Sequence, residues 1–225
     1  MRFVFDPAPQ ASLAIAGADA RFPVRRIFCV GRNYADHVRE MGADPKSEPP
    51  IFFTKPADAV VADGAAIAYA QNTADLHHEV ELVVALGKGG REIAASQASA
   101  LVWGCAAGVD LTRRDRQAEM KKAGAPWDIA KAFDQSAPCG PLAQGAAPLA
   151  GRIWLSVNGA TKQEGDLAHM IWSVPEIIAA LSRSWTLMPG DLIFTGTPAG
   201  VGPLRPGDEV ACGVEGLPGL RFSIV

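Results

Sequence analysis

The sequence predicts a β-rich α+β fold, and three observations carry that expectation. Short apolar runs of Val, Ile, Leu and Phe recur along the chain, bounded by Gly, Pro and Asn. Helical periodicity is confined to a few short stretches, so the strand–helix alternation of a doubly wound sheet is missing. The C-terminal third also carries a local echo. Leu187-Met188-Pro189-Gly190-Asp191-Leu192-Ile193 resembles Leu204-Arg205-Pro206-Gly207-Asp208-Glu209-Val210, and in each a Pro-Gly turn launches a strand.

The elements follow in order. Residues 1–25 read as a short N-terminal β segment, ahead of a main domain over 26–225. Ala11 to Ala18 has the apolar character of a signal-peptide core. Asp6, Pro7 and Pro9 precede it without a cluster of basic residues, so it reads as a strand and turn. Arg26 to Gly31 is a buried strand. Arg32 to Met41 is a short helix candidate closed by Gly42, and the polar stretch to Pro50 is a loop. A ten-residue helix is unstable in water without packing, so the segment 32–50 is expected to act as a lid that orders over a ligand. A strand returns at Pro49 to Pro56, and strand-like segments dominate from 59 to 110. Helices are expected around 112–123 and 174–184, the second with Pro175 in its first turn. Gly87-Lys88-Gly89-Gly90 lacks the upstream Gly and the Ser/Thr of a phosphate loop and reads as a hairpin turn.

Composition narrows the function classes. With 48% hydrophobic and 20% charged residues, the chain is ordinary for a globular protein. A net charge of -3 gives no electrostatic reason to expect nucleic acid as a partner. The nearest basic cluster, Arg113, Arg114, Arg116, Lys121 and Lys122, is interrupted by Asp115 and Glu119 and reads as a solvated helix face. Cys29, Cys105, Cys139 and Cys212 form no C-x-x-C pair, and buried free thiols in a reducing cytoplasm fit them best. No apolar stretch reaches transmembrane length, so no membrane is expected as a partner.

The chemistry is expected at charges placed inside apolar runs. Glu79 and Glu81 interrupt the run Leu76 to Leu86, which reads as one strand. In a strand, residues two apart share a face, so both carboxylates converge beside buried residues. Their repulsion and desolvation call for compensation, and a hard divalent cation with oxygen ligands supplies it. Asp110 ends the next apolar run and is a candidate third ligand. The same spacing also fits an exposed face on an edge strand. His37 and Glu40, three residues apart on the short helix, share a face. They form either a water-activating general-base pair or a surface ion pair. Lys131 is a lone cation among apolar neighbours and needs an anion. Arg114 and Gln117, just after Asp110, are placed to face the same site. Gly196-Thr197-Pro198-Ala199-Gly200-Val201-Gly202 follows a strand and is a candidate ligand loop.

Taken together, these motifs resemble the fumarylacetoacetate hydrolase family, C-terminal-domain type. They run in that family's order: Gly31-Arg32-Asn33-Tyr34-Ala35-Asp36-His37, Lys55-Pro56, His78-Glu79-Val80-Glu81-Leu82, then Asp110-Leu111-Thr112-Arg113-Arg114-Asp115-Arg116-Gln117. Pro126-Trp127 with Lys131 and the segment Thr195 to Gly202 complete them. The small bacterial fumarylpyruvate and acylpyruvate hydrolases look most similar. The resemblance implies a mixed β-sandwich roll, a homodimer and a Mg²⁺ or Mn²⁺ site, with Ca²⁺ as a substitute. It implies Glu79, Glu81 and Asp110 as metal ligands, and His37, Glu40 and Lys131 as catalytic residues. Arg32, Tyr34, Arg114, Gln117 and Thr197 are then the substrate-binding candidates.

The reaction so implied is hydrolysis of a C–C bond in a 2,4-dioxo acid. An acylpyruvate, above all fumarylpyruvate, would give pyruvate and a carboxylic acid. Oxaloacetate decarboxylation or keto–enol isomerisation of a 2-oxo acid at the same metal is the alternative, because each passes through a metal-held enolate. A non-enzymatic metal- or ligand-binding protein is the third reading.

Overall fold

The computed structural model describes residues 2–34, 46 and 49–225. The first half of the chain runs β1 (Ser12–Ile15), β2 (Ala18–Pro23), β3 (Arg26–Gly31), β4 (Ile51–Lys55), β5 (Val60–Val61), β6 (Ala65–Ile67), β7 (Leu76–His78), β8 (Val80–Leu86), α1 (Ala95–Ala98) and β9 (Val102–Val109). The second half continues with β10 (Thr112–Arg113), α2 (Arg114–Ala123), α3 (Asp128–Lys131), β11 (Ala137–Pro138), β12 (Ala143–Gln144), β13 (Arg152–Val157), β14 (Ala160–Asp166), α4 (Val174–Ser184), β15 (Asp191–Phe194), β16 (Gly202–Leu204), β17 (Glu209–Val214) and β18 (Leu220–Ile224). Strands dominate and helices are few, as the sequence predicts.

Two mixed sheets form the body. The larger is six-stranded, in the order β12-β9-β8-β15-β3-β4, and only its β15–β3 pair is parallel. The smaller is five-stranded, in the order β14-β13-β17-β18-β6, and ends in the parallel β18–β6 pair. Their inner faces meet in one core, where Leu82, Val84, Ala107 and Val109 share a cluster with Ile153, Leu155, Val210 and Cys212. Helix α4 joins this core through Val174, Ile177, Ile178 and Leu181, an i, i+3, i+4, i+7 stripe. This is a β-sandwich roll of mixed sheets.

The larger sheet is covered on its other face too. Ile27, Cys29, Val83, Ala85, Leu192 and Phe194 pack with Leu13 and Phe22 of the N-terminal hairpin. Every residue of β8 is therefore buried, which explains its near-continuous apolar sequence. The expected Pro-Gly turns are present, with Gly190 and Gly207 both at φ 92° ahead of β15 and β17. All four cysteines are free and buried. Among the described residues no helix is long and apolar enough to cross a membrane.

Four expectations need correction. The apolar run Leu76 to Leu86 is two strands, β7 and β8, broken at Glu79. The two pieces serve different sheets: β7 lies between β10 and β16, and β8 between β9 and β15. Periodicity could not show the break, because both pieces are buried. Gly87 to Gly90 is not a tight hairpin turn. β8 and β9 do pair, but α1 and a short 3₁₀ turn lie between them, and Gly90 bridges to Leu187 instead. The basic cluster is also not simply a solvated face. Arg116 pairs with Glu119 on the outside, whereas Arg114 and Lys121 turn towards a cavity. Of the expected helix over 32–41, the described start is not helical: Arg32 sits at φ 59° and Tyr34 forms a bridge to Met170. Its remainder, the His37–Glu40 pair and most of the expected lid lie outside the described residues.

The β8–β9 pairing leaves no room at Gly108, which faces Glu81 across the ladder. A Cβ there would stand 2.5 Å from Val83 Cγ2 and 3.0 Å from Phe194 Cε1. Gly108→Ala should therefore destabilise the fold by about 1–3 kcal/mol through overpacking. Chemical denaturation reads this as a lower midpoint, and an unchanged midpoint would show that β9 can shift at no cost.

Candidate metal centre and active-site cavity

Strand register brings the acidic residues together. β8 and β9 are antiparallel, with Val80 opposite Val109 and Glu81 opposite Gly108. One step further, the Asp110 N–H donates to the Glu79 carbonyl at 2.8 Å. Glu79 and Asp110 thus face each other across the ladder, and Glu81 lies two residues along the same face. One carboxylate oxygen from each lies within 4.8 Å of the others, and all three residues are buried. The exposed-face reading of Glu79 and Glu81 is excluded by that burial.

Cations balance two of the three. Lys131, at the end of α3, donates to Glu79 Oε2 at 2.8 Å, Asp110 Oδ2 at 2.6 Å and Thr112 Oγ1 at 2.6 Å. Burial alone would lower its pKa, but the Asp110 and Glu79 charges hold it above the usual lysine range. Arg114 Nη2 bonds Glu79 Oε1, and its Nη1 donates to Gln117 Oε1 at 2.6 Å. Its Nε points to His77 Nδ1 at 3.3 Å, and His77 Nε2 meets Asp75 Oδ1 at 3.0 Å. Burial pushes the Glu79 carboxyl up, yet Lys131 and Arg114 outweigh it and hold the pKa down to about 2. Lys55, from the end of β4, sits 2.8 Å from Asp110 Oδ1. That oxygen accepts no hydrogen bond of good angle, so the contact is an ion pair by distance alone.

Glu81 is different. Its Oε2 accepts the Gly196 N–H at 2.7 Å, and it has no ion-pair partner among the described residues. Burial, then the charges of Asp110 and Glu79, push its pKa well above the usual carboxylate range. All three cations of the centre, Lys131, Arg114 and Lys55, thus lie against Glu79 and Asp110, and Glu81 is left without one. Three clustered carboxylates with no nitrogen or sulfur donor form a set suited to a hard divalent cation.

A cavity of about 310 Å³ opens above this cluster. Glu79, Glu81 and Lys131 lie at its floor, and the cavity is also lined by all the substrate-binding candidates: Arg32, Tyr34, Arg114, Gln117 and Thr197. Asp110 lies buried beside the floor. The glycine loop is part of the wall through Thr197, Pro198, Ala199 and Val201. Gly196 turns at φ 97°, and a Cβ there would lie 2.6 Å from Asn33 Cβ, so the loop approaches the β3 end as only glycine allows.

Several supporting residues escaped the sequence reading. Gln163 of β14 accepts from Val80 N at 3.0 Å and contacts His78 Nδ1 at 2.9 Å. It also donates to Thr197 Oγ1 at 2.8 Å and Pro198 O at 3.0 Å, fastening the carboxylate strand to the loop. Asn33 ties the β3 end to the same loop by donating to Thr195 O at 2.7 Å. Lys55 carried a usable signal, a lysine closing the apolar run Ile51 to Thr54, much as Lys131 did. Lys121 carried one as well, seven residues after Arg114 on one face of α2. Gln163, in a polar stretch, carried none.

The fold and site define an enzyme with an acidic centre at the floor of a cation-lined cavity. Residues 26–225 match the family described as Fumarylacetoacetate (FAA) hydrolase C-terminal, and the chain belongs to that family. It is 50% identical to the fumarylpyruvate hydrolase of Pseudomonas aeruginosa, whose structure was solved in complex with Mn²⁺ and pyruvate. That match covers 100% of this chain and 99% of the other, with a TM-score of 0.94. The fumarylpyruvate hydrolase of Ralstonia sp is 42% identical over 183 residues, 80% of this chain and 95% of that protein. The mitochondrial oxaloacetate tautomerase FAHD1 of Mus musculus is 46% identical over 203 residues, 89% of this chain and 91% of that protein. Within the family the chain is of the hydrolase type that acts on carbon–carbon bonds.

The carboxylate without a cation generates a measurable expectation. Burial and the Asp110 and Glu79 charges make Glu81 hold its proton more tightly than an ordinary carboxylate, so a divalent cation competes with that proton. Mn²⁺ binding should release protons, and apparent affinity should rise with pH until Glu81 ionises unaided. Calorimetry in two buffers of different ionisation enthalpy reads the proton directly. Identical heats in both would show that Glu81 is already ionised.

Proposed function

We propose that this enzyme hydrolyses a C–C bond of a 2,4-dioxo acid, above all of fumarylpyruvate among the acylpyruvates, to pyruvate and a carboxylic acid. The observation that carries the reading is the cluster of three carboxylates at the floor of the cavity, in a chain similar throughout to a protein that holds Mn²⁺ and pyruvate. Glu79, Glu81 and Asp110 would hold Mg²⁺ or Mn²⁺, with Ca²⁺ as a substitute. That ion supplies Lewis-acid polarisation and an anchor for neighbouring substrate oxygens.

The chain's own residues account for the remaining steps. Arg114 and Gln117, fixed to each other and to the floor, orient the 2-oxo acid end. Arg32, Tyr34 and Thr197 hold the substrate from the walls. His37, oriented by Glu40, takes a proton from water, and the resulting hydroxide attacks the distal carbonyl carbon. The bond between that carbon and the neighbouring CH₂ breaks. Its electrons pass into a pyruvate enolate, and the acyl carbon leaves as a carboxylic acid. Lys131 keeps its positive charge and stabilises the enolate oxygen. Protonation of the enolate carbon completes pyruvate. The active form is a homodimer on this reading.

The similarity to oxaloacetate tautomerase supports a second reading, because keto–enol exchange needs the same held enolate but no attacking water. Oxaloacetate decarboxylation shares that property.

A panel of fumarylpyruvate, acetylpyruvate, fumarylacetoacetate and oxaloacetate, compared by kcat/KM with Mg²⁺ and with Mn²⁺, tests the choice. Acylpyruvate hydrolysis should exceed tautomerisation and decarboxylation of oxaloacetate, and the reverse order overturns the hydrolase reading. His37→Ala should lower hydrolysis by roughly two to four orders of magnitude, the loss expected for a general base. Wild-type hydrolysis by that variant would remove His37 from the mechanism.

A further inference from the structure

The cavity has two electrostatic ends. Four cationic residues line it: Arg32, Arg114, Lys121 and Lys131. Lys131 and Arg114 are committed at the floor, bonded to Glu79 and Asp110. Lys121 and Arg32 are exposed at the mouth. Neither makes an ion pair among the described residues. The Lys121 ammonium lies 5.2 Å from the Trp127 ring centroid, the one contact found for it among the described residues. Arg32 is held at φ 59°, a left-handed backbone that non-glycine residues adopt at a cost.

The spacing is directional. Arg114, Gln117 and Lys121 occupy one face of α2, and Lys121 stands two turns beyond Arg114, about 10 Å along the axis. A substrate anchored at the floor through its 2-oxo acid end projects its far end towards this rim, past Trp127 and Phe53.

We infer that Lys121, with Arg32, is a specificity-determining site for a second, distal carboxylate, so that the enzyme prefers long 2-oxo dicarboxylates over 2-oxo monocarboxylates. This rests on the proposed 2-oxo acid reading and narrows its substrate class. Fumarylpyruvate carries such a distal carboxylate, whereas acetylpyruvate ends in a methyl group and leaves both rim cations without a counter-charge. Burial and the like charges of Arg114 and Arg32 already lower the Lys121 pKa, which is the field an incoming anion would relieve.

The test separates this inference from the reaction. Calorimetry with Mn²⁺ present compares 2-oxoheptanedioate with 2-oxoheptanoate. These match in chain length, differ only in the distal carboxylate and lack the carbonyl needed for cleavage. Wild type should bind the dicarboxylate roughly tenfold or more tightly, the scale of a hydrogen bond to a charged group. Lys121→Met should collapse that ratio to about one, and Lys121→Arg should restore most of it. In turnover, Lys121→Met should raise KM for fumarylpyruvate far more than for acetylpyruvate, with kcat changed less. Equal binding of the two probes by wild type, or an equal loss for both in Lys121→Met, overturns the inference. Discrimination between the probes without any hydrolysis of fumarylpyruvate would instead keep the distal-carboxylate site and remove the hydrolase reading.

Discussion

The uneven pairing of three buried carboxylates with three cations governs this molecule. Glu79, Glu81 and Asp110 are buried, so water screens them poorly. Lys131 reaches two of them, Lys55 lies against one and Arg114 against another. Removing any of these cations would leave a charge buried without its partner, which is costlier than removing the pair. The residual imbalance falls on Glu81, the carboxylate held only by the backbone N–H of Gly196. Glu81 therefore faces the cavity with no cation against it, beside two further carboxylates, and this marks a place for a cation.

Much of the fold exists to hold that geometry. The β8–β9 register sets Glu79 opposite Asp110, and the break after β7 lets the carboxylate strand leave one sheet for another at the metal-type cluster. α3 is a single turn, and its backbone fixes Lys131 through bonds to the Trp127 carbonyl. Lys55 returns to the Lys131 and Leu111 carbonyls, so the cation that lies against Asp110 also pins the turn that carries its neighbour. Gln163 plays the same part on the other wall, joining β8, the His78 ring and the glycine loop through one amide. These are positioning contacts from four separate chain segments, and they account for side chains that stay fixed in a cavity open to solvent.

The parts legible in the sequence were those where a residue contradicted its surroundings. Carboxylates inside the runs around Leu82 and Val109, and a lysine among Ile129, Ala130 and Phe133, announced the centre because burying them unpaired is prohibitive. The span Val174–Ser184 was legible because its apolar stripe repeats at helical spacing behind Ser173 and Pro175. The break at Glu79 was not, since a strand buried on both faces reads the same on either side of it. Gln163 was invisible because a polar residue on a polar strand contradicts nothing; only the returning glycine loop makes it structural. The excursion between β8 and β9 was missed because Gly87 to Gly90 has turn composition. What decides its path is Leu187, which lies distant in sequence, and whose carbonyl would stand 2.0 Å from a Cβ at Gly89.

The floor and the rim divide the chemical task. In the proposed reaction, fixed charges at the floor would compensate a developing enolate without reorganising, since Lys131 is already bonded and already positive. That preorganisation serves hydrolysis, tautomerisation and decarboxylation alike, because all pass through the same anion. Discrimination must then come from elsewhere: from what delivers water, the part proposed for His37 and Glu40, and from what reads the far end of the substrate. Lys121 belongs to α2, the helix that also carries Arg114 and Gln117, so the distance between anchor and this far-end reader is set by one rigid element. A cavity built this way measures substrate length along a helix face. Altering the rim residue changes which acid fits without disturbing the charges that hold the floor.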